Sequence, residues 1–191
     1  RLDSVLVVAG FSRLVVDLNR PPGHPTSIPL TSDGIEIPGN QRLSERKRLR
    51  RIEEIFSPYH EAVSTEVQRA CAQHPKAALI SMHSFTPRMD GQWRPWHVGI
   101  LWNRDQRLSQ PLLDSLRRES GLCIGDNQPY DARAHLGYTV DVYADINNLA
   151  QVMIEVRQDL LESDEGILRW AVLLSEHIKL ALASWGGCTD R

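Results

Sequence analysis

The sequence predicts an α/β fold in which helices cover a sheet within a single domain. Short runs of β-branched and apolar residues alternate with longer stretches of helical apolar spacing, which is typical of this fold class. The chain has 191 residues, enough for one domain with a sizeable core. Its 41% apolar and 24% charged residues are typical of a soluble globular protein.

Net charge, cysteine content and hydropathy indicate the kind of partner and the cellular compartment. The formal net charge of -2 gives no long-range field that would favour nucleic acid or an anionic membrane, so we expect small-molecule partners. The three cysteines, Cys71, Cys123 and Cys188, are widely spaced and form neither a disulfide framework nor a metal knuckle. Without a membrane-length apolar run or a signal peptide, we expect a cytoplasmic protein.

The first half of the chain is expected to contain strands, a long loop and two helices. Val5 to Val8 resembles a buried strand and Leu14 to Val16 a second one. Residues 20–40 are rich in proline and glycine, which predicts an irregular loop. Ser44 is an N-cap candidate for a helix that should break at Pro58, and a second helix should run to about Gln73.

The second half should supply most of the sheet. The strand candidates are Ala77 to Met82, Trp96 to Trp102, Leu122 to Ile124, Tyr138 to Val142 and Ala150 to Val156. Helices are expected at Gln110 to Ser120 and Gly166 to Trp185, and Gly186 with Gly187 is a plausible stop signal after the latter.

Three stretches place polar groups at the end of an apolar run. They are VVDLNR at residues 15–20, LISMHS at 79–84 and MIEVRQD at 153–159. If these runs share a sheet, their carboxyl ends would bring a guanidinium, an imidazole and a carboxylate into one cleft. A histidine can bind zinc, a glutamate in a partly dry cleft can act as a base, and an arginine matches the geometry of a carboxylate.

Each candidate also has a structural interpretation. His83 could be satisfied by neighbouring backbone, and Glu155 could form an ion pair with Arg157. Asn19 and Arg20 could simply organise a loop.

Other polar and aromatic stretches also allow two interpretations. In GDNQPYD, Tyr130 could donate to a substrate, whereas Asp126 and Asn127 are common turn formers. The basic run 46–51 lies between Glu45 and the pair Glu53 and Glu54, which favours a solvated helix face. Trp93 and Trp96 favour packing over nucleobase stacking, because no basic field accompanies them.

Several longer blocks carry a resemblance to a known family. They are VVDLNRPP, IPGN, SERKRLR, SPYH, SMHSFTP, RPWHVGILWNRD, GDNQPY, GYTV and IEVRQDLL. Together they resemble the N-formylglutamate amidohydrolase family from about residue 11 to the final helix. A more distant similarity to zinc carboxypeptidases implies a single-domain mixed sheet flanked by helices, a phosphorylase/hydrolase-like architecture.

The resemblance implies a role for each candidate residue. Asn19 and Arg20 match the pair that grips the substrate carboxylate, His83 matches a ligand of Zn²⁺, and Glu155 matches the base that activates water. Tyr130 and Arg157 complete the candidate substrate-binding residues. The implied activity is zinc-dependent hydrolysis of the N-acyl amide of a small anionic amino acid such as N-formyl-glutamate.

The chain departs from the family pattern at the metal site. In both families the first zinc ligands precede the Asn-Arg pair, but no histidine precedes Asn19 here. We therefore expect either a missing upstream segment or a short homologue that has lost metal and activity. His24, His60 and His97 are the conceivable substitute ligands. The alternative function is a metal-free, catalytically silent domain that binds small acids. The sequence gives no indication of oligomeric state.

Overall fold

The computed structural model describes residues 2–133, 137–144 and 146–186. Its strands are β1 (Thr31–Ser32), β2 (Ile35–Glu36), β3 (Ala78–Phe85), β4 (Arg88–Met89), β5 (Gln92–Trp93), β6 (Val98–Leu101), β7 (Ile124–Asp126) and β8 (Ala150–Arg157). Its α-helices are α1 (Glu45–Arg51), α2 (Ser57–Gln73), α3 (Ser109–Leu116), α4 (Tyr138–Tyr143) and α5 (Asp164–Trp185).

The central sheet is mixed. Its strand order is β3-β8-β6-β7, with β8 parallel to β3 and antiparallel to β6, and with β6 parallel to β7. The pairs β1-β2 and β4-β5 are separate two-stranded hairpins. This arrangement confirms the predicted α/β class.

Helices cover both faces of the sheet, because successive side chains of β8 point to opposite sides. Val152 and Ile154 lie in a core cluster with residues of α3 and α5, including Leu112 and Leu174. Met153 faces the other way, into a cluster with residues of α2 and α4. Glu155 is an even number of positions from Met153 and therefore belongs to the α2 and α4 side.

Several predicted elements are confirmed. β8 and α5 form where the apolar pattern placed them, and the side chain of Ser44 accepts a hydrogen bond from the Lys47 amide as an N-cap. Gly186 closes α5 in the left-handed conformation, with a φ of 76°. Gly187 and Cys188 lie outside the described residues.

The predicted strands at Val5 to Val8 and Leu14 to Val16 are wrong. Residues 2–10 have no regular secondary structure, and Val5, Leu6 and Val8 are exposed. A strand requires a hydrogen-bonded neighbour, and no strand pairs with either segment within the described part of the chain. Val16 instead packs with Phe56 in a small core cluster and is followed by turns.

Two further predictions fail for identifiable reasons. The helix does not break at Pro58, because residues 52–56 form a wider π-helical turn that leads directly into α2 and puts Pro58 in its first turn. A locally wider turn is one way in which a continuous helix accommodates a residue without an N–H. The β-branched run at residues 138–142 is helical in α4, where Thr139 and Val140 are buried. Tertiary packing here outweighs strand propensity.

Smaller boundaries differ by a few residues. β3 runs to Phe85, so His83 lies inside the strand rather than after it. α3 ends at Leu116 and β7 begins at Ile124. The loop predicted over residues 20–40 is confirmed apart from the β1-β2 hairpin and a short 3₁₀ turn at Pro38–Asn40. No helix among the described residues is long and apolar enough to cross a bilayer.

Candidate functional site

His83 and Glu155 occupy paired positions on adjacent parallel strands. β3 and β8 are in register so that the Cα atom of His83 faces that of Glu155. Paired residues of parallel strands point to the same side of the sheet. Both side chains therefore lie on one face, and both line an open cleft.

The cleft also receives the segment that carries the predicted carboxylate clamp. Asp17, Asn19 and Arg20 line it together with Tyr130. Of the six predicted site residues, all except Arg157 border this cleft. The structure thus brings together side chains that are far apart in the sequence.

Glu155 is a buried carboxyl group with an unusual environment. Its residue is only 6% exposed, and burial raises its pKa from 4.5 to about 7, partly opposed by the positive charges of Arg13 and Arg94. Its Oε2 atom has no hydrogen-bond partner among the described residues. The ion pair with Arg157 that the sequence allowed does not form, because Arg157 pairs with Asp159. An unpaired carboxyl with a pKa near neutrality can take up and release a proton at physiological pH.

His83 is partly buried, and its environment is mixed in charge. Burial lowers the pKa of the imidazole, Asp17 raises it, and Arg13 and Arg20 lower it. The Nε2 atom lies 2.9 Å from the hydroxyl of Ser81. The imidazole is therefore kept neutral, which is the form that binds a metal ion.

Asn19 and Arg20 are held by a turn around Asp17. A carboxylate oxygen of Asp17 accepts a hydrogen bond from the Asn19 amide at 2.9 Å, and the other accepts from Arg13 at 2.7 Å. The side-chain oxygen of Asn19 accepts from the Thr139 amide at 3.3 Å. The guanidinium of Arg20 donates to the Asn19 carbonyl, and no ion pair engages it within the described ranges.

The buried side chain of His60 holds this turn by a hydrogen bond. His60 Nε2 donates to the carbonyl of Leu18 at 2.9 Å, directly before Asn19. Aromatic rings surround the imidazole, with those of Phe56 and Tyr138 centred at 4.2 and 4.8 Å. Burial lowers the pKa of His60, and its contacts account for it as a structural residue.

The other two histidines proposed as substitute ligands have local partners. His24 Nδ1 lies 2.9 Å from the hydroxyl of Thr26. His97 Nδ1 accepts a hydrogen bond from the Cys123 amide. Cys71 and Cys123 are free thiols.

Arg157 pairs with Asp159 and with backbone carbonyls rather than with Glu155. Its Nε donates to Asp159 at 2.8 Å, and its Nη1 lies 3.1 to 3.4 Å from the carbonyl oxygens of Arg94, Pro95 and Trp96. The guanidinium is also centred 4.9 Å from the ring of Trp93. The residue is only 6% exposed. A role for Arg157 in substrate binding stays a prediction.

Three charged residues near the site were missed at the sequence level. Arg13 and Arg94 are close enough to shift the pKa of Glu155, and Asp17 is a buried carboxylate beside the clamp. Asp17 had a detectable signal, since it lies in an apolar run just as Glu155 does. No pattern in the sequence indicates that Arg13 lines the cleft or that Arg94 acts on Glu155.

The described residues do not complete a zinc site. They contain no group of three or more histidine, cysteine, aspartate or glutamate side chains that could hold a metal ion. A catalytic zinc normally has three protein ligands and one open position. His83 could supply one of them.

Comparisons with known proteins agree with the fold. A family model described as N-formylglutamate amidohydrolase matches residues 1–162. A gene product from Agrobacterium tumefaciens has a similar structure, with 34% identity, a TM-score of 0.82, and coverage of 91% of this chain and 69% of that chain. N-formylglutamate amidohydrolase from Ralstonia eutropha JMP134 is 19% identical with a TM-score of 0.58, covering 91% of this chain and 73% of its own. No curated protein matches this chain.

Proposed function

The chain belongs to the N-formylglutamate amidohydrolase family, and on that premise we propose that it hydrolyses the N-acyl amide bond of a small anionic amino acid. N-formyl-glutamate is the first substrate to test. The observation that carries the proposal is the pairing of Glu155 with His83 in a cleft that Arg20 also lines.

Glu155 is the proposed proton carrier. With a pKa of about 7, it can take a proton from water as the water oxygen attacks the acyl carbon. When the C–N bond breaks, the same carboxyl group returns the proton to the departing nitrogen. The products are the free amino acid and the carboxylic acid of the acyl group.

Arg20 and Asn19 are the proposed anchor for the substrate carboxylate. Arg20 has a guanidinium without an ionic partner in the described part of the molecule, and a carboxylate can accept two parallel hydrogen bonds from it. Arg13, which lines the cleft and donates to Asp17, is a further proposed source of positive charge for the attacked carbonyl oxygen. Tyr130 is a further proposed substrate contact.

Zn²⁺ is the proposed cofactor, with His83 as one ligand. The family resemblance supports this assignment, as does the neutral imidazole of His83. The remaining ligands are not identified among the described residues. Metal analysis of the protein expressed from its complete gene tests the assignment, and stoichiometric zinc is the expected result.

Formate release from N-formyl-glutamate tests the reaction. Glu155→Gln preserves the shape of the side chain and removes the base, and we expect a loss of roughly 100- to 10,000-fold in turnover. Glu162→Gln is the matched control, since Glu162 is exposed and outside the cleft. Equal rates in the wild type and Glu155→Gln would eliminate Glu155 as the base.

A second candidate is a domain that binds small acids without catalysis. The incomplete donor set around His83 favours it. Metal-free protein that binds N-acyl amino acids through Arg20 and releases no formate supports this candidate. Zinc-containing protein that releases formate rejects it.

A further inference from the structure

The proposed carboxylate anchor lies on an excursion of the chain, residues 14–29, whose two ends lie close together. The excursion runs out to the cleft, where Asn19 and Arg20 line it, and then returns. Residues 21–26 are exposed and form successive turns. The position of Arg20 therefore depends on how the two ends of the excursion are held.

One side-chain amide joins these two ends. Asn40 Nδ2 donates to the carbonyl of Leu14 at 2.8 Å and to that of Pro29 at 2.6 Å. Asn40 is only 1% exposed and lies in the 3₁₀ turn Pro38–Asn40, outside the excursion. Because an asparagine amide has two N–H donors and each one binds a different end, Asn40 closes the excursion at its base.

A guanidinium group from α1 fixes the orientation of this amide. Arg51 Nη1 donates to Asn40 Oδ1 and to the carbonyl of Val15, both at 2.7 Å, and Nη2 donates to the carbonyl of Gly39 at 2.9 Å. A charge-assisted hydrogen bond to Oδ1 leaves the Nδ2 edge of the Asn40 amide to face the ends of the excursion. Arg51 and Asn40 therefore act as one unit.

Apolar packing holds only part of the excursion. Val16 and Ile28 pack with Phe56 in a small core cluster, on either side of the exposed turns. Arg20 stands at the start of those turns, and its guanidinium donates to the Asn19 carbonyl next to it. If the two ends separated, Arg20 would gain alternative positions, and a substrate would have to order the segment when it binds.

We propose that Asn40 and Arg51 are positioning residues that pre-organise Arg20 and Asn19 for the substrate carboxylate. This inference rests on the proposed function, in which Arg20 and Asn19 hold that carboxylate. Neither Asn40 nor Arg51 lines the cleft, so both act through the backbone of the excursion and touch no substrate. Their loss should weaken substrate binding and leave the chemical step unchanged.

Two conservative variants remove these contacts. Asn40→Asp keeps the shape of the side chain and the acceptor for Arg51, but it replaces the N–H donors with a carboxylate oxygen. Arg51→Lys keeps the positive charge and loses the planar fork that reaches three acceptors. Each variant should raise KM for N-formyl-glutamate roughly 10-fold and change kcat by less than about 3-fold. Arg51→Lys provides the test if Asn40→Asp does not fold.

Gln41→Ala is the matched control. Gln41 adjoins Asn40, and its Nε2 donates to the carbonyl of Leu30 at 2.8 Å, just beyond the excursion. Because this hydrogen bond holds neither end of the excursion, KM and kcat should keep their wild-type values. A rise in KM for Gln41→Ala equal to that of Asn40→Asp would assign the effect to a general disturbance of the turn and overturn the proposal.

Hydrogen exchange separates this inference from the proposed function, because it requires neither ligand nor turnover. In Asn40→Asp and Arg51→Lys the hydrogen-bonded amides of Asp17, Asn19 and Arg20 should exchange roughly 10-fold faster, whereas those of β8 keep their wild-type rates. Unchanged exchange at the three amides, an equal rise in β8, or an unchanged KM in a folded variant overturns the inference. Local acceleration without formate release from the wild type rejects only the proposed reaction.

Discussion

His83 and Glu155 are paired on the adjacent parallel strands β3 and β8, although strands β4 to β7 lie between them in the sequence. Their register places an imidazole and a buried carboxyl on the same side of the sheet, above which the Asp17 to Arg20 turn is packed. The site therefore depends on strand pairing that no local motif encodes.

The raised pKa of Glu155 predicts an unusual dependence of stability on pH. The folded protein keeps a proton up to a pKa of about 7, whereas the unfolded chain releases it near 4.5. Between these values the folded state binds more protons, so the free energy of unfolding should fall as pH rises. The shift corresponds to roughly 3 kcal/mol in total. Glu155→Gln should lack this component.

Urea unfolding at pH 5 and pH 8 measures the effect. The difference in unfolding free energy between the two pH values should be smaller in Glu155→Gln than in the wild type by about 2.5 kcal/mol, since part of the total is already lost below pH 5. Glu162→Gln is the control, because this exposed carboxyl should leave the wild-type dependence intact. Identical slopes in the wild type and Glu155→Gln would contradict the raised pKa.

Gly137 is predicted to be required for the position of Asn19. It has a φ of 118°, and a Cβ added there would meet the side-chain amide of Asn19, with Oδ1 at 2.6 Å. Gly137→Ala should displace Asn19 from the Thr139 amide, destabilise the protein by about 2 kcal/mol or more, and raise KM about 10-fold.

Gly34→Ala is the matched control for Gly137→Ala. Gly34 also has a positive φ, 73°, but nothing lies within 4 Å of an added Cβ. This variant should show only the backbone cost of about 1 kcal/mol, with an unchanged KM. Thermal unfolding and substrate titration measure the two effects. The same KM in both variants would show that Gly137 does not position the clamp.

The sequence predicts well those elements whose apolar residues recur with the period of the helix or strand. β8 and α5 have apolar patterns that match their final packing. Val5 to Val8 has an equally strong strand composition but no neighbouring strand in the described chain, so composition alone misleads there. Residues 138–142 show the opposite case, where burial against α2 makes a β-branched segment helical.

The candidate site, too, can be predicted only in part from local sequence patterns. His83 and Glu155 are detectable because each is a polar residue in an apolar run. The influence of Arg94 on Glu155 is not detectable in this way, because it depends on the hairpin that precedes Arg94. The sequence likewise does not show whether Arg157 pairs with Glu155 or with Asp159. In the structure Arg157 pairs with Asp159, just beyond the end of β8.

His60 is predicted to contribute stability through the carbonyl of Leu18. His60→Phe keeps the aromatic packing with Phe56 and Tyr138 but leaves that buried carbonyl without its donor. The cost should be about 1 to 3 kcal/mol in urea unfolding. His60→Gln can still donate from its side-chain amide and should recover part of the loss. If both variants are equally unstable, ring packing rather than the hydrogen bond is responsible.

Arg157→Lys tests whether Arg157 has a structural role or binds the substrate. Its guanidinium ties β8 to the carbonyls of residues 94–96, so Arg157→Lys should lose several hydrogen bonds at once and destabilise the protein by about 2 to 4 kcal/mol. The backbone of residues 94–96 should loosen as well, and KM for N-formyl-glutamate should rise slightly as a secondary effect.

The test for Arg157 is to measure KM for N-formyl-glutamate at a temperature at which Arg157→Lys is fully folded. A rise in KM of less than about 3-fold fits a residue acting through the backbone of residues 94–96. A rise in KM of more than about 10-fold would instead assign Arg157 direct contact with the substrate carboxylate or the acyl amide. The contacts with Asp159 and the three carbonyls lead us to expect the first result.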